Sequence, residues 1–238
     1  MKILAIESSA LTASVALCED DSPIAEMTLQ TGNTHSDTLL PMVEQLLAHA
    51  GMTVQDIDLF AVPVGPGSFT GIRIGVSLIK GLAFDSNKPC VGTSSLEGMA
   101  YNLAGFQGIL CPVMDARRNQ LYNALFRFEG NRLIRLTEDR LIPAVDLAAE
   151  LSAYGEAVIL TGEGSDILRN ASSDQIAYIM PSPMMATQNA VGVAQLALRM
   201  YKSGQAVSDG ELLPVYLRPS QAERELNERL AEEQSAQK

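Results

Sequence analysis

Apolar residues along the 238-residue chain change their period several times, and each change marks an element. Residues 2–8 form a compact apolar run that closes on Glu7, residues 12–18 alternate, and residues 24–30 alternate again. Short turns join these runs, which predicts three meandering strands. From residue 35 the period lengthens. Leu39, Leu40, Val43, Leu46 and Leu47 recur at helical spacing as far as residue 50, and Gly51 supplies the stop. Beyond it the pattern predicts a strand over 57–64, a helix over 72–84, a short strand over 90–93 and a helix over 96–103. The first half reads β-β-β-α-β-α-β-α.

The order then restarts. Residues 109–114 are an apolar run ending on Asp115, residues 120–129 alternate, and residues 131–136 make a hairpin partner. A helix over 143–151, a strand over 158–160, a glycine turn at Gly162-Glu163-Gly164 and a strong last helix over 187–203 follow. Glu7 corresponds to Asp115 and one glycine turn to the other, so two similar halves are expected, 1–106 and 107–219, with the change near 105–108. Three meandering strands followed by alternating helix and strand, used twice, predict an α/β fold with two mixed-sheet lobes: the duplicated actin-like, or ribonuclease H-like, architecture.

The junction of strand and helix at residues 63–75, Pro-Val-Gly-Pro-Gly-Ser-Phe-Thr-Gly-Ile-Arg-Ile-Gly, is the densest motif. Gly65 and Gly67 suit a turn, Ser68 or Thr70 can cap the helix, and Gly71 and Gly75 lie one helical turn apart. A helix N-terminus suits an anion. Yet no Lys follows Gly71, as a P-loop needs, and position 70 is Thr where the dinucleotide fingerprint needs Gly. The helix also carries Ile72, Ile74, Val76, Leu78, Ile79, Leu82 and Phe84 on nearly every side, which calls for cover on more than one face. That cover comes from this chain alone, or partly from a partner helix against the small-residue face of Gly71 and Gly75.

Charge limits the partners. With 17 Lys and Arg against 28 Asp and Glu, a formal net charge of −11, the chain is unsuited to holding a phosphate backbone unaided. Residues 220–238 carry five of those glutamates and read as a solvated helix or a disordered tail. Cys18, Cys90 and Cys111 lack metal or redox spacing and read as small apolar residues. The apolar run at residues 3–6 is too short for a signal core or a membrane span, so a cytoplasmic location and no membrane partner are expected.

Catalytic constellations are sparse. His35 and His49 are the two histidines, fourteen positions apart, so no zinc motif forms and no metal site is expected. There is no GxSxG, and Ser68 has no local base. In the predicted architecture Glu7, Ser8, Asp115 and Gly162 sit where strand tips cradle a nucleotide's phosphates. The plainer reading of Glu7 and Asp115 is as solvated strand ends. No cofactor is assigned.

Five segments together carry a resemblance: Ile3-Leu4-Ala5-Ile6-Glu7-Ser8-Ser9, Asn33-Thr34-His35-Ser36, the run from Val64 to Gly75, Thr93-Ser94-Ser95-Leu96, and Pro214-Val215-Tyr216-Leu217-Arg218-Pro219. The chain resembles the bacterial TsaB (YeaZ) family from its first strand to Pro219. That resemblance implies the actin-like two-lobed fold and a non-catalytic part in making N6-threonylcarbamoyladenosine, the modified base beside the anticodon of tRNA. It implies as partners the catalytic paralogue TsaD, the ATPase TsaE, a second copy of the chain when alone, and tRNA only through the complex. The implied contact surface is the helix pair near residues 35–50 and 71–84: His35, Leu39, Met42, Val43, Gly71, Arg73, Ile74, Gly75, Val76, Leu78, Ile79 and Leu82. TsaD's HxxxH metal pair has no counterpart, because position 39 is Leu. Family members often carry Asp at the first strand tip, where this chain has the longer Glu7. The competing function is an autonomous actin-like ATPase or small-molecule kinase built on Glu7, Asp115 and the Gly162 turn.

Overall fold

The computed structural model describes residues 1–173 and 176–218. Pro219 and the acidic tail, residues 220–238, lie outside the described residues. The first sheet contains β1 (Lys2–Glu7), β2 (Ala13–Glu19), β3 (Ser22–Leu29), β4 (Leu59–Gly65) and β5 (Cys90–Ser94), in the order β3-β2-β1-β4-β5. Between these strands lie α1 (His35–His49) and α2 (Phe69–Ala83), and α3 (Ser95–Tyr101) follows β5. β1 runs antiparallel to β2 and parallel to β4.

The second sheet repeats this plan. Its strands are β6 (Ile109–Asp115), β7 (Gln120–Asn123), β8 (Phe126–Glu129), β9 (Arg132–Arg135), β10 (Arg140–Pro143), β11 (Val158–Thr161) and β12 (Tyr178–Ile179). Its helices are α4 (Ala144–Tyr154), α5 (Ser165–Ala171), α6 (Pro183–Ala186) and α7 (Ala190–Lys202). The main path is β10-β7-β6-β11-β12, with β6 antiparallel to β7 and parallel to β11. Position for position this is the order of the first sheet, so the fold is the duplicated actin-like one.

The compact apolar runs have a physical cause. β1 is covered on both faces: Leu4 and Ile6 pack under α1 and α2, whereas Ile3 and Ala5 pack against α7. A strand buried on both faces loses its polar alternation. Edge strand β3 keeps alternation over most of its length, because its outer face meets solvent.

Several expectations need correction. The alternating run at 120–129 is two strands, not one. It breaks at Ala124 and Leu125, where the buried Asn123 donates through Nδ2 to the carbonyls of Pro112 and Ala124, 3.1 and 3.2 Å away. Strand β10 was not foreseen, and the helix expected at 143–151 extends to Tyr154, where Gly155 caps it at φ 65°. The last helix begins at Ala190 rather than 187, since Asn189 caps it by accepting the Gly192 N–H. The helices also cross the midpoint of the chain. α3 from the first half packs on the second sheet, whereas α7 from the second half covers the first.

Candidate functional site

The tips of β1 and β6 differ in their surroundings. Glu7 is not a solvated strand end: it is 1% exposed. Its Oε1 accepts the Ser9 N–H at 2.6 Å, yet burial outweighs that bond and pushes its pKa up to about 7. A carboxylate without a cation costs much in such a place, so protonation relieves it. Asp115 is partly exposed and is satisfied within its own turn, accepting the Arg117 N–H at 2.7 Å and pairing with Arg117 Nη1 at 3.0 Å. Among the described residues no hydrogen bond or ion pair joins Glu7 to Asp115. Arg117, Arg118 and Asn119 follow in a left-handed turn with φ between 55° and 65°, which the residue pattern does not announce.

Gly162 has φ 97°, and a Cβ there would strike the Val113 carbonyl and the Met99 side chain. Its glycine is needed for close approach of β11 to β6. That packing accounts for the residue without a ligand.

At the first glycine turn, Ser68, one of the two expected candidates, caps α2 by accepting the Gly71 N–H at 3.2 Å, and the Ser68 N–H is held by the Ser9 carbonyl at 2.7 Å. Two donors of the helix N-terminus are therefore already engaged, which weakens the anion reading. Nor does the small-residue face point outward. A Cβ on Gly71 would strike the Ser8 carbonyl and lie 3.2 Å from His35 Cδ2; one on Gly75 would strike Ser8 Oγ and lie 3.0 Å from Val62 Cγ2. The glycines let α2 settle onto the β1 tip of its own chain.

The remaining partner-facing candidates divide in two. Leu39, Met42, Val43, Val76 and Ile79 are at most 3% exposed and form the core beneath α1 and α2. His35, Ile74, Leu78 and Leu82 are half-buried at its margin, and Arg73 is exposed. His35 donates from Nε2 to the Ala10 carbonyl at 2.7 Å, and its buried Nδ1 has no hydrogen-bond partner among the described residues. Arg73 is engaged by its own chain: its guanidinium lies 3.8 Å over the Phe69 ring, and its Nε donates to Tyr216 Oη at 2.8 Å. Outside the expected set, Leu40 and Phe84 stand 42% and 75% exposed on the same helix pair.

Tyr216 belongs to a C-terminal strap that the sequence marked only as a motif. The Val215 N–H donates to the Val64 carbonyl at 2.7 Å, Lys80 Nζ donates to the carbonyls of Gly210 and Leu212, and Arg218 Nη1 donates to the Ala116 carbonyl at 2.6 Å. The strap thus ties α2 to the β6 tip of the other lobe.

Metal chemistry has little to build on: among the described residues no three His, Cys, Asp or Glu side chains converge. Cys18, Cys90 and Cys111 are buried free thiols, and burial pushes the first two up to about 11 and Cys111 to about 12. They are unreactive packing groups. No helix among the described residues is long and apolar enough to cross a membrane.

Comparison with known proteins places this geometry in a family. Residues 29–210 match the family described as TsaD: tRNA N6-adenosine threonylcarbamoyltransferase. The tRNA threonylcarbamoyladenosine biosynthesis protein TsaB of Bacillus subtilis is 32% identical over 231 residues, covering 94% of this chain and 96% of the relative. TsaB of Escherichia coli is 28% identical over 95% of this chain and 98% of the relative. Among solved structures, a Pseudomonas aeruginosa protein described as similar to peptidase YeaZ superposes with a TM-score of 0.80 at 26% identity, covering 91% of this chain and 99% of that one. Near full-length coverage in both directions, together with the repeated sheet order, shows that the chain belongs to the TsaB family of tRNA threonylcarbamoyladenosine biosynthesis proteins.

Proposed function

We propose that the chain is a non-catalytic scaffold within tRNA threonylcarbamoyladenosine synthesis, binding a TsaD-like transferase and activating it together with a TsaE-like ATPase. One observation carries the reading: α1 and α2, packed together on the first sheet, turn outward an apolar margin of Leu40, Ile74, Leu78, Leu82 and Phe84. Exposed apolar side chains grouped on adjoining helices suit a partner's face better than bulk water. The buried members of the expected set, Leu39, Met42, Val43, Val76 and Ile79, act beneath that margin by holding the two helices in register.

The chain's formal charge of −11 supports leaving the tRNA to the partner's surface. Alone, the same apolar margin would be covered by a second copy. The test is reconstitution: the chain is mixed with TsaD, TsaE, tRNA, ATP and threonylcarbamoyl-adenylate, and modified adenosine is measured. Modification should fall sharply when the chain is omitted. Undiminished modification would end the proposal.

A further inference from the structure

Away from the strand tips, a cleft of about 270 Å³ opens between α3, β9 and the C-terminal half of α7, and its walls bring together charged side chains that the proposed scaffold role does not use. It takes Glu97 from the first half of the chain, Arg135 from the second, and Arg199, Leu196, Met200 and Gln205 from α7 and the turn after it. Its size falls just under the range of about 300–1,000 Å³ usual for drug-sized ligands, which suits a smaller molecule.

The polar groups are held rather than loose. Arg135 donates from Nε and Nη2 to Glu97 Oε2, at 3.2 and 2.7 Å, and from Nη1 to Asp139 Oδ1 at 2.6 Å, with its guanidinium 4.8 Å over the Phe126 ring. That pins the Glu97 carboxylate and leaves Oε1 as an acceptor with no partner among the described residues. Arg199 spends only Nη1, on Tyr101 Oη at 3.0 Å and the Leu133 carbonyl at 3.1 Å. Its Nε and Nη2 have no hydrogen-bond partner among the described residues, and its pKa is raised, first by the Tyr101 hydrogen bond and only last by the charge of Glu97. One wall therefore offers an anchored anion and another an anchored cation. Asp139 offsets Arg135, and buried Leu196 with half-buried Met200 supplies an apolar floor.

We infer that this cleft binds a small zwitterion, a free α-amino acid, with its ammonium on Glu97 Oε1, its carboxylate on Arg199 and its side chain over Leu196 and Met200. A lone anion would engage Arg199 but leave Glu97 Oε1 an open acceptor, and a lone cation would do the reverse. Occupancy would also bridge residues from both halves of the chain.

Calorimetric titration of the full chain with L-alanine and L-leucine, against propionate and ethylamine, tests the inference. Both amino acids should saturate, leucine more tightly, and each half-ligand should bind about tenfold more weakly, the effect of one lost charge-assisted contact. Arg199→Met and Glu97→Gln should each cost a similar factor, whereas Arg127→Gln, whose ion pair with Glu156 lies elsewhere, should leave binding unchanged. Should Glu97→Gln fail to fold once Arg135 loses one of its two charged partners, the exposed Arg199 still decides the matter. No saturable amino-acid binding in the millimolar range would overturn the inference. So would propionate binding as tightly as alanine, or binding indifferent to Arg199→Met and Glu97→Gln.

Discussion

The Ser8 hydroxyl occupies the ground that any side chain at position 75 would need: a Cβ on Gly75 would strike Ser8 Oγ and lie 3.3 Å from Ser8 Cβ. This contact seats α2 on the tip of β1, and it separates two kinds of glycine in one helix. Gly75→Ala should destabilise the fold by about 1–3 kcal/mol, the usual cost of overpacking a filled site. Gly81, in the same helix with nothing within 4 Å of its would-be Cβ, should behave in the opposite way. Gly81→Ala should stabilise by up to about 1 kcal/mol through helix propensity. Urea denaturation of the two variants checks both signs.

Glu7 should make stability fall as pH rises. Its pKa is raised from 4.5 to about 7 in the fold, so between those values the native chain holds a proton that the unfolded chain has released. Stability from this group is complete below pH 4.5 and is lost as pH rises to about 7. The full effect is at most about 3 kcal/mol by linkage. Glu7→Gln, which keeps the shape and removes the charge, should flatten that part of the profile and be the more stable chain at pH 8. Chemical denaturation at a series of pH values would show it, and parallel profiles for the two chains would contradict it.

The strap should loosen locally. Tyr216→Ala removes the ring packed 4.7 Å from Phe69 and the acceptor for Arg73 Nε. About 1–2 kcal/mol of local stability should go with them. Hydrogen exchange should then speed up at the Val215 amide, while amides in the middle of α7 keep their protection. Equal acceleration at both places would mean that the strap unfolds only with the whole protein.

The competing ATPase reading makes a clear claim about the isolated chain. Glu7 is buried and raised toward neutrality, Ser9 holds the Ser68 N–H, and the glycine at 162 is required by packing against Val113. Calorimetry with ATP and magnesium should therefore show neither tight binding nor turnover. Tight binding that Glu7→Ala and Asp115→Ala abolish would favour the enzyme.

Much of the fold was legible because period and punctuation agree with it. The repeat itself was readable from two apolar runs closing on Glu7 and Asp115, though not the strand β10 that completes its order, and the glycine run marked Ser68 and Thr70 alike as candidate caps. What escaped depends on contacts distant in sequence. Nothing near residue 124 announces the break between β7 and β8, since it is set by Asn123 bonding back to Pro112 across the sheet. Exchange of α3 and α7 between sheets is likewise invisible to periodicity, which shows that a helix has an apolar face but not which sheet it covers. In α2, helical spacing marked Val76 and Ile79 as apolar yet could not separate them from the outward Phe84. Gly71 and Gly75 gave the opposite error: a smooth face suggested a partner, and Ser8 of the same chain fills it. The cleft at Glu97 and Arg199 had no signal at all, because its charges come together only once α3, β9 and α7 are packed.

The most direct measurement is association with purified TsaD, by calorimetry or sedimentation, for the wild-type chain and for Phe84→Glu, Leu82→Glu and Ile79→Glu. Phe84 is 75% exposed and Leu82 half-buried, so the first two variants should melt like wild type, or nearly so, and bind TsaD at least about tenfold more weakly. Ile79 is fully buried, so Ile79→Glu should lose the fold itself. A wild-type chain that does not bind TsaD, or a folded Phe84→Glu, Leu82→Glu double variant that binds it as tightly as wild type, would contradict the proposed scaffold.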